Sequence, residues 1–357
     1  MKADFSKKLL EWNRKKNTRL MPWKGEKDPY KIWISEIILQ QTRVEQGRAY
    51  YENFLRAFPS VHLLAKAPQK KIFKLWEGLG YYNRCKNLIE TAKKISKEYK
   101  GKFPEDYEKI KSLKGIGPYT ASAIASFAFN LPYAVVDGNV ERVLSRYFGI
   151  NTPVDTAEGK KMYTELANSL LDKKQAGIFN QAIMDFGAVV CKPRNPLCTQ
   201  CPQLMDCQAY KHHLVDVLPV KAKRIQKKSR WFYYFIIELE GSVYIHQRTE
   251  KDIWQNLYEF VLHESPHPLY RQDILHTDFV KTVFVKQKIA IERISEIFAQ
   301  QLTHQTIYIQ FVCISISKPL PDISRYVLVK KKDLIKFPFP KSITAYLKET
   351  SPAQTFF

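Results

Sequence analysis

The sequence predicts a multidomain protein: a mostly α-helical N-terminal domain followed by a smaller α+β domain. Three observations carry that prediction. The chain has 357 residues, more than one hydrophobic core usually serves, so two domains are expected. Through the first 210 or so residues, apolar side chains recur at helical spacing between short Gly/Pro loops. From Trp231 onward the apolar runs turn aromatic and β-branched, which is the texture of strands.

The helical spacing runs over 33–44, 72–82, 88–99, 120–129, 140–147 and 162–171. Strands are expected over 231–239, 242–246, 306–316 and 326–329, with helices at 291–301 and 340–348. The domain limits are read as 1–212 and 230–357. Between them, residues 213–229 form a basic linker. Over 211–230, Lys211, Lys221, Lys223, Arg224, Lys227, Lys228 and Arg230 stand against one acid, Asp216, a solvated segment suited to tracking along phosphates.

Charge narrows the partners. The 57 Lys+Arg against 35 Asp+Glu give +22, a field that draws polyanions, with nucleic acid ahead of an anionic membrane surface. At 45% hydrophobic the composition is globular, and no apolar run is long enough for a bilayer. The N-terminus, Met1-Lys2-Ala3-Asp4-Phe5, lacks a signal-peptide stretch. A cytoplasmic protein with no membrane role is expected.

Cys191, Cys198, Cys201 and Cys207 are spaced C-x6-C-x2-C-x5-C, with Pro193, Pro196 and Pro202 among them. Four thiolates so close can surround one metal centre, either a tetrahedral zinc or a four-iron cluster. Disulfides fit poorly with six cysteines and no secretory leader. Cys85 and Cys313, far apart in apolar surroundings, read as buried small residues.

Leu113-Lys114-Gly115-Ile116-Gly117-Pro118-Tyr119-Thr120 lies between two helical patterns. Two glycines allow a tight turn and a close backbone approach, and Pro118 suits a first helical turn whose N–H groups face an anion. A plain helix–helix turn is the competing reading. These residues resemble the helix-hairpin-helix element of DNA repair glycosylases. With the cysteine loop downstream, the resemblance extends to the endonuclease III superfamily, and it implies a [4Fe-4S] cluster on Cys191, Cys198, Cys201 and Cys207. The hairpin glycines Gly115 and Gly117 would then meet DNA.

Hydrolysis of a bond between sugar and base needs a proton for the leaving base and negative charge beside the sugar cation, a task that glycosidases give to two carboxyl groups. Asp137 follows an apolar run and precedes a helix, where a helix cap is the ordinary role. Glu36 sits in the apolar helix Trp33-Ile34-Ser35-Glu36-Ile37-Ile38-Leu39 with no basic residue at helical spacing. Such a carboxyl should titrate high, as a general acid near neutrality requires.

Met21-Pro22-Trp23, Asp28-Pro29-Tyr30, Ser35–Thr42, Gly78–Arg84 and Phe179–Ala188 closely resemble adenine DNA glycosylases of the MutY type. The resemblance implies that Glu36 protonates the adenine and Asp137 stabilises the sugar cation, assisted by Tyr119 and Asn139. It further implies that Gln41 and Tyr81 enter the base stack, while Arg19, Trp23, Leu39 and Val44 line the pocket for the extruded base. Tyr119 stands where lyase-type relatives carry a Schiff-base lysine, so strand cleavage should be slight or absent. Met21 and Lys24 replace a common Leu and Arg with small expected effect.

Gln247-Arg248 and Asp252–Phe260 resemble a stretch of the same family's Nudix-like C-terminal domain, here without the acidic helix for catalytic magnesium. Leu302-Thr303-His304 matches the loop that inspects 8-oxoguanine opposite adenine; Thr303 and His304 keep hydrogen-bonding groups, while Leu302 replaces an aromatic. The implied fold is thus a helix-hairpin-helix glycosylase domain with an iron–sulfur loop at 191–207, plus a Nudix-like recognition domain. The implied partner is double-stranded DNA holding adenine opposite 8-oxoguanine. The competing functions are a bifunctional glycosylase/lyase for oxidised pyrimidines and a non-catalytic, cluster-bearing DNA-binding protein.

Overall fold

The computed structural model describes residues 2–222, 227–285, 289–320 and 325–350. Positions 223–226 of the expected linker, with Lys223 and Arg224, lie outside the described residues. By its contacts the chain forms two units, Met1–Ala67 with Lys86–Lys223, and Pro68–Cys85 with Arg224–Phe357.

The helices run in order α1 (Lys2–Lys16), α2 (Pro29–Leu39), α3 (Val44–Ala57), α4 (Val61–Lys66), α5 (Gln69–Trp76), α6 (Tyr82–Glu98), α7 (Tyr107–Lys111), α8 (Pro118–Phe129), α9 (Gly138–Phe148), α10 (Ala157–Leu170), α11 (Ala176–Val189) and α12 (Gln208–Lys211). In the first unit, Phe5, Leu9, Trp12, Val143, Tyr147, Phe179 and Phe186 pack one core from α1, α9 and α11.

Helix α2 starts where Asp28 caps Tyr30 N at 2.9 Å and Pro29 fills the first position. It buries residues all around its axis, from Tyr30 to Ile38, so it is a core helix rather than a surface one. The expected helix over 33–44 stops at Leu39, because Gln41 takes a left-handed conformation (φ 57) before α3 begins. The helix expected over 72–82 breaks for a similar reason. Gly78, Gly80 and Tyr81 all have positive φ between α5 and α6.

The second unit holds a seven-stranded mixed sheet in the order β4-β6-β1-β3-β2-β7, with β5 also on β6. The strands are β1 (Lys228–Leu239), β2 (Ser242–Gln247), β3 (Tyr258–Ser265), β4 (Ile289–Ile294), β5 (Phe298–Gln301), β6 (Gln305–Ile316) and β7 (Val327–Lys330). β1 and β6 run parallel, from Lys228↔Gln305 to Glu238↔Ser315. The helices α13 (Asp278–Phe284) and α14 (Lys341–Thr350) complete the unit.

The helix expected over 291–301 is instead two strands. A register shift between Ile291 and Arg293 inserts a residue into β4, and such a bulge turns a period of two into the i, i+3 spacing of Ile291 and Ile294 that imitates a helix. Cys85 is fully buried, as expected. Cys313 is half-buried, its Sγ 3.3 Å from the Tyr346 hydroxyl.

Candidate active site

Several pieces of the first unit converge on one cavity of about 360 Å³. Helix α2 supplies Glu36 and Leu39, the first turn of α8 supplies Tyr119, and the start of α9 supplies Asp137 and Asn139. The loop between α1 and α2 supplies Arg19 and Trp23, and α3 opens with Val44. All eight residues expected for catalysis and base binding therefore line the same space.

Glu36 is 6% exposed. Burial pushes its carboxyl up to about 7, the Tyr119 hydroxyl pulls against that by hydrogen bonding, and the charge of Asp137 adds to it. The cause lies in the sequence: an acid on a helix that is apolar on every side has no water to hold its charge. Tyr119 is raised well above its ordinary value by burial and by the two neighbouring carboxyls, so its hydroxyl keeps its proton.

Asp137 caps α9. Its Oδ1 accepts from Asn139 N at 2.9 Å and Val140 N at 2.8 Å, and its Oδ2 accepts from Asn139 Nδ2 at 2.7 Å. Burial raises its carboxyl, while these three donors and the Arg142 charge oppose the rise. Arg142 donates to Asn139 Oδ1 at 2.8 Å, to Gly187 O at 2.7 Å and to Cys191 O at 2.8 Å. A Cβ on Gly187 would meet Asn139 Cβ at 2.7 Å, so this glycine lets α11 approach the start of α9 and seats Asn139.

The cavity also holds residues that sequence reasoning did not name as pocket-lining, among them Ile178, Gln181 and Met184 of α11. Their signal was present. Gln181 and Asp185 stand four apart within the stretch 179–188, which puts them on one helix face.

Gln41 lies outside this lining, exposed and left-handed after α2. In the hairpin, Gly115 has φ +78, and a Cβ there would come within 2.6 Å of Asn87 Cβ; a Cβ on Gly117 would meet open space. Gly115 is thus required by the fold itself, and Gly117 leaves backbone accessible from outside.

In the second unit, Tyr81, Trp254, Leu302, Thr303 and His304 border a surface pocket of about 780 Å³. Thr303 and His304 occupy the β5–β6 turn, closed by Leu302 N to Gln305 O at 2.8 Å. Tyr81 is 46% exposed, and its hydroxyl hydrogen-bonds Thr303 Oγ1, a link no sequence feature announced. Arg248 and Glu259 of the Nudix-like stretch pair at 2.6 Å inside the unit, with Arg248 also on Asp252 at 2.8 Å. They brace the fold there.

Cys191, Cys198, Cys201 and Cys207 line a separate small cavity of about 30 Å³ beside Arg146. Among the described residues, no three His, Cys, Asp or Glu side chains close on a point tightly enough for a single metal ion. No described helix is long and apolar enough to cross a membrane.

Residues 34–170 match the HhH-GPD superfamily base excision DNA repair protein family, and residues 233–349 match the NUDIX domain. The chain is 35% identical over 318 residues to the adenine DNA glycosylase of Buchnera aphidicola subsp. Schizaphis graminum, covering 88% of each chain. It is 39% identical over 214 residues to the adenine DNA glycosylase of Homo sapiens, covering 57% of this chain and 39% of that one. A thermostable thymine-DNA glycosylase superposes with a TM-score of 0.55 at 32% identity, over 59% of this chain and 97% of that one. An endonuclease III–DNA covalent intermediate has the same fold at a TM-score of 0.52 and 21% identity, over 60% of this chain and 99% of that one. The chain belongs to the adenine DNA glycosylase family, base-excision-repair hydrolases of N-glycosyl bonds.

Proposed function

We propose that the protein releases adenine paired with 8-oxoguanine, or with guanine, from double-stranded DNA after the adenine nucleotide has turned out of the helix. The observation that carries this reading is the meeting of Glu36 and Asp137 in one cavity of base-accommodating size. Glu36, held neutral by burial, donates its proton to a ring nitrogen of the base as the glycosidic bond stretches. Three N–H donors at the start of α9 favour the charged form of Asp137, which faces the oxocarbenium-like sugar and stabilises it. Asn139 holds that carboxylate, and Tyr119 holds Glu36. Water then adds to the sugar carbon and gives up a proton to the Glu36 carboxylate, which restores the acid. Tyr119 has no amine for a Schiff base, so the activity is monofunctional, and borohydride should trap no enzyme on DNA.

Trp23, Leu39 and Val44 grip the base, while Arg19 contributes a polar edge. Gln41 and Tyr81 fill the stack that the base leaves. Gly115 and Gly117 bring backbone N–H groups to phosphate. In the second unit, Thr303 and His304 read the opposite 8-oxoguanine from the β5–β6 turn. The domain limits are 1–212 and 230–357, joined by a basic linker, in a chain that works as a monomer. The charge of +22 and the bacterial relative suit work on the nucleoid in a bacterial cytoplasm.

Cys191, Cys198, Cys201 and Cys207 would hold a [4Fe-4S] cluster. The four thiols line one small cavity beside Arg146, four cysteine sulfurs are a ligand set for such a cluster as for zinc, and the kinship to endonuclease III-type enzymes favours the cluster. Once bound, such a cluster would tie 191–207 together, and Lys192 and Arg194 of the same segment would be available for phosphate contact. Iron and sulfide analysis with the absorption spectrum separates it from zinc.

The direct test is base release across a panel of mismatched duplexes. Adenine opposite 8-oxoguanine should be released fastest, then adenine opposite guanine. Release of oxidised pyrimidines instead would favour the lyase-type alternative.

A further inference from the structure

Asp185 of α11 is fully buried yet does not line the cavity. Both of its oxygens are saturated. Oδ1 accepts from Arg19 Nη1 and from Gln181 Nε2, each at 2.9 Å. Oδ2 accepts from Asn17 Nδ2 and from Lys24 Nζ, also each at 2.9 Å. A carboxylate has about four lone-pair sites, so none is left for a substrate. Whatever Asp185 does for the reaction, it does through the groups it holds. Three of these, Arg19, Lys24 and Gln181, line the cavity.

The consequence for Gln181 follows from elementary chemistry. A carboxylate only accepts hydrogen bonds, so the amide must turn its NH2 end to Asp185. Its carbonyl oxygen is then the end left for the cavity, and it is a pure acceptor. Adenine carries an amino donor at its sixth position, whereas guanine carries a carbonyl acceptor there. An amide locked in this sense accepts the first base and repels the second. The same anchor ties the loop carrying Arg19 and Lys24 to α11, a link reinforced by Lys24 Nζ on Arg19 O at 2.9 Å and by Asn17 Oδ1 under Arg19 N at 3.1 Å.

We propose that Asp185 is a positioning residue that sets base specificity: it orients the Gln181 amide so that its oxygen meets the amino group of the extruded base. This rests on the reading of the cavity as an adenine site. Without the anchor the amide is free to turn over, and the site loses its preference for a six-amino purine.

The test compares single-turnover release of adenine with release of purine lacking the six-amino group, both opposite 8-oxoguanine, in the full-length enzyme. Taking the ratio of the two rates in each protein cancels the different leaving abilities of the bases. Asp185→Asn should lower the adenine-to-purine ratio by about tenfold, since a group built to pair with the amino function no longer faces it. A merely structural role would slow both substrates together and leave the ratio intact, and that result overturns the proposal. Should Asp185→Asn fail to fold, Gln181→Met, which removes the amide at nearly constant volume, decides in its place: a collapsed ratio supports the proposal and a preserved one refutes it. If the wild type released adenine from no duplex, the adenine reading itself would fall, and this inference with it.

Discussion

The two pockets of the molecule are built on opposite principles. In the first unit Glu36 and Asp137 face a space of about 360 Å³, and burial lifts the carboxyl groups of both. In the second, Tyr81 and His304 stand exposed at the edge of a wider space of about 780 Å³. Proton transfer to a departing base needs an acid whose charge is costly, and removal from water is the main thing that makes it so. Inspection of a base edge needs donors and acceptors that can be reached, and these cost little to leave in solvent. On the proposed reading, the chemistry rests on buried carboxyl groups and recognition on accessible hydrogen-bonding groups.

This contrast can be broken where it is strongest. Glu36→Gln should lower single-turnover adenine release by about 10³-fold or more, the upper part of what a general acid contributes. Undiminished release would remove Glu36 from the mechanism. Asp137→Asn keeps the shape of the α9 cap but not its charge; release should fall by about 10²-fold, as when one electrostatic stabiliser is lost. Measured under the same conditions, a smaller fall than for a surface variant would contradict the role given to it.

The same burial has a cost in stability. Because the folded value of Glu36 lies above its ordinary 4.5, the folded state binds more protons than the unfolded one between about pH 4.5 and 7. Its contribution is complete below about pH 4.5 and is lost as pH rises toward 7, a swing of roughly 3 kcal/mol. Glu36→Gln, neutral at every pH, should therefore melt higher than the wild type at about pH 8 and show little advantage near pH 4.5. An inactive variant that is also less stable at the higher pH would show that the carboxyl is not strained.

The second pocket should respond more gently. Thr303→Ala removes the partner of the Tyr81 hydroxyl and one group proposed to read the lesion. Preference for 8-oxoguanine over guanine opposite adenine should drop by about fivefold, in keeping with one exposed hydrogen bond. His304→Ala should act in the same sense, while adenine release from a guanine mispair stays within about twofold of wild type. Equal losses on both duplexes would place these residues in general DNA binding instead.

Much of the first pocket was legible in the sequence because its parts are local. An acid in an apolar helix, an Asp before a helix and a Gly-x-Gly-Pro turn each announce their backbone setting within a few residues. What stayed hidden depends on contacts distant along the chain. Asp185 lies in an ordinary helical pattern, and nothing nearby shows that it gathers Asn17, Arg19 and Lys24 from the α1–α2 loop. The packing of Pro68–Cys85 with the second unit, and with it the Tyr81–Thr303 link, is of the same kind. The strands β4 and β5 were misread for a different reason, since the bulge at Ile291/Arg293 disrupts the period that would have identified them.

The central claim, a neutral acid at Glu36 working beside a charged Asp137, is tested most directly by the pH profile of adenine release. Single-turnover rates on an adenine·8-oxoguanine duplex should hold steady on the acid side and decline as pH rises through about 7, where Glu36 loses its proton. The Glu36→Gln variant should lack that limb. A wild-type profile that stays level through neutrality, or a Gln variant that retains the limb, would contradict the account.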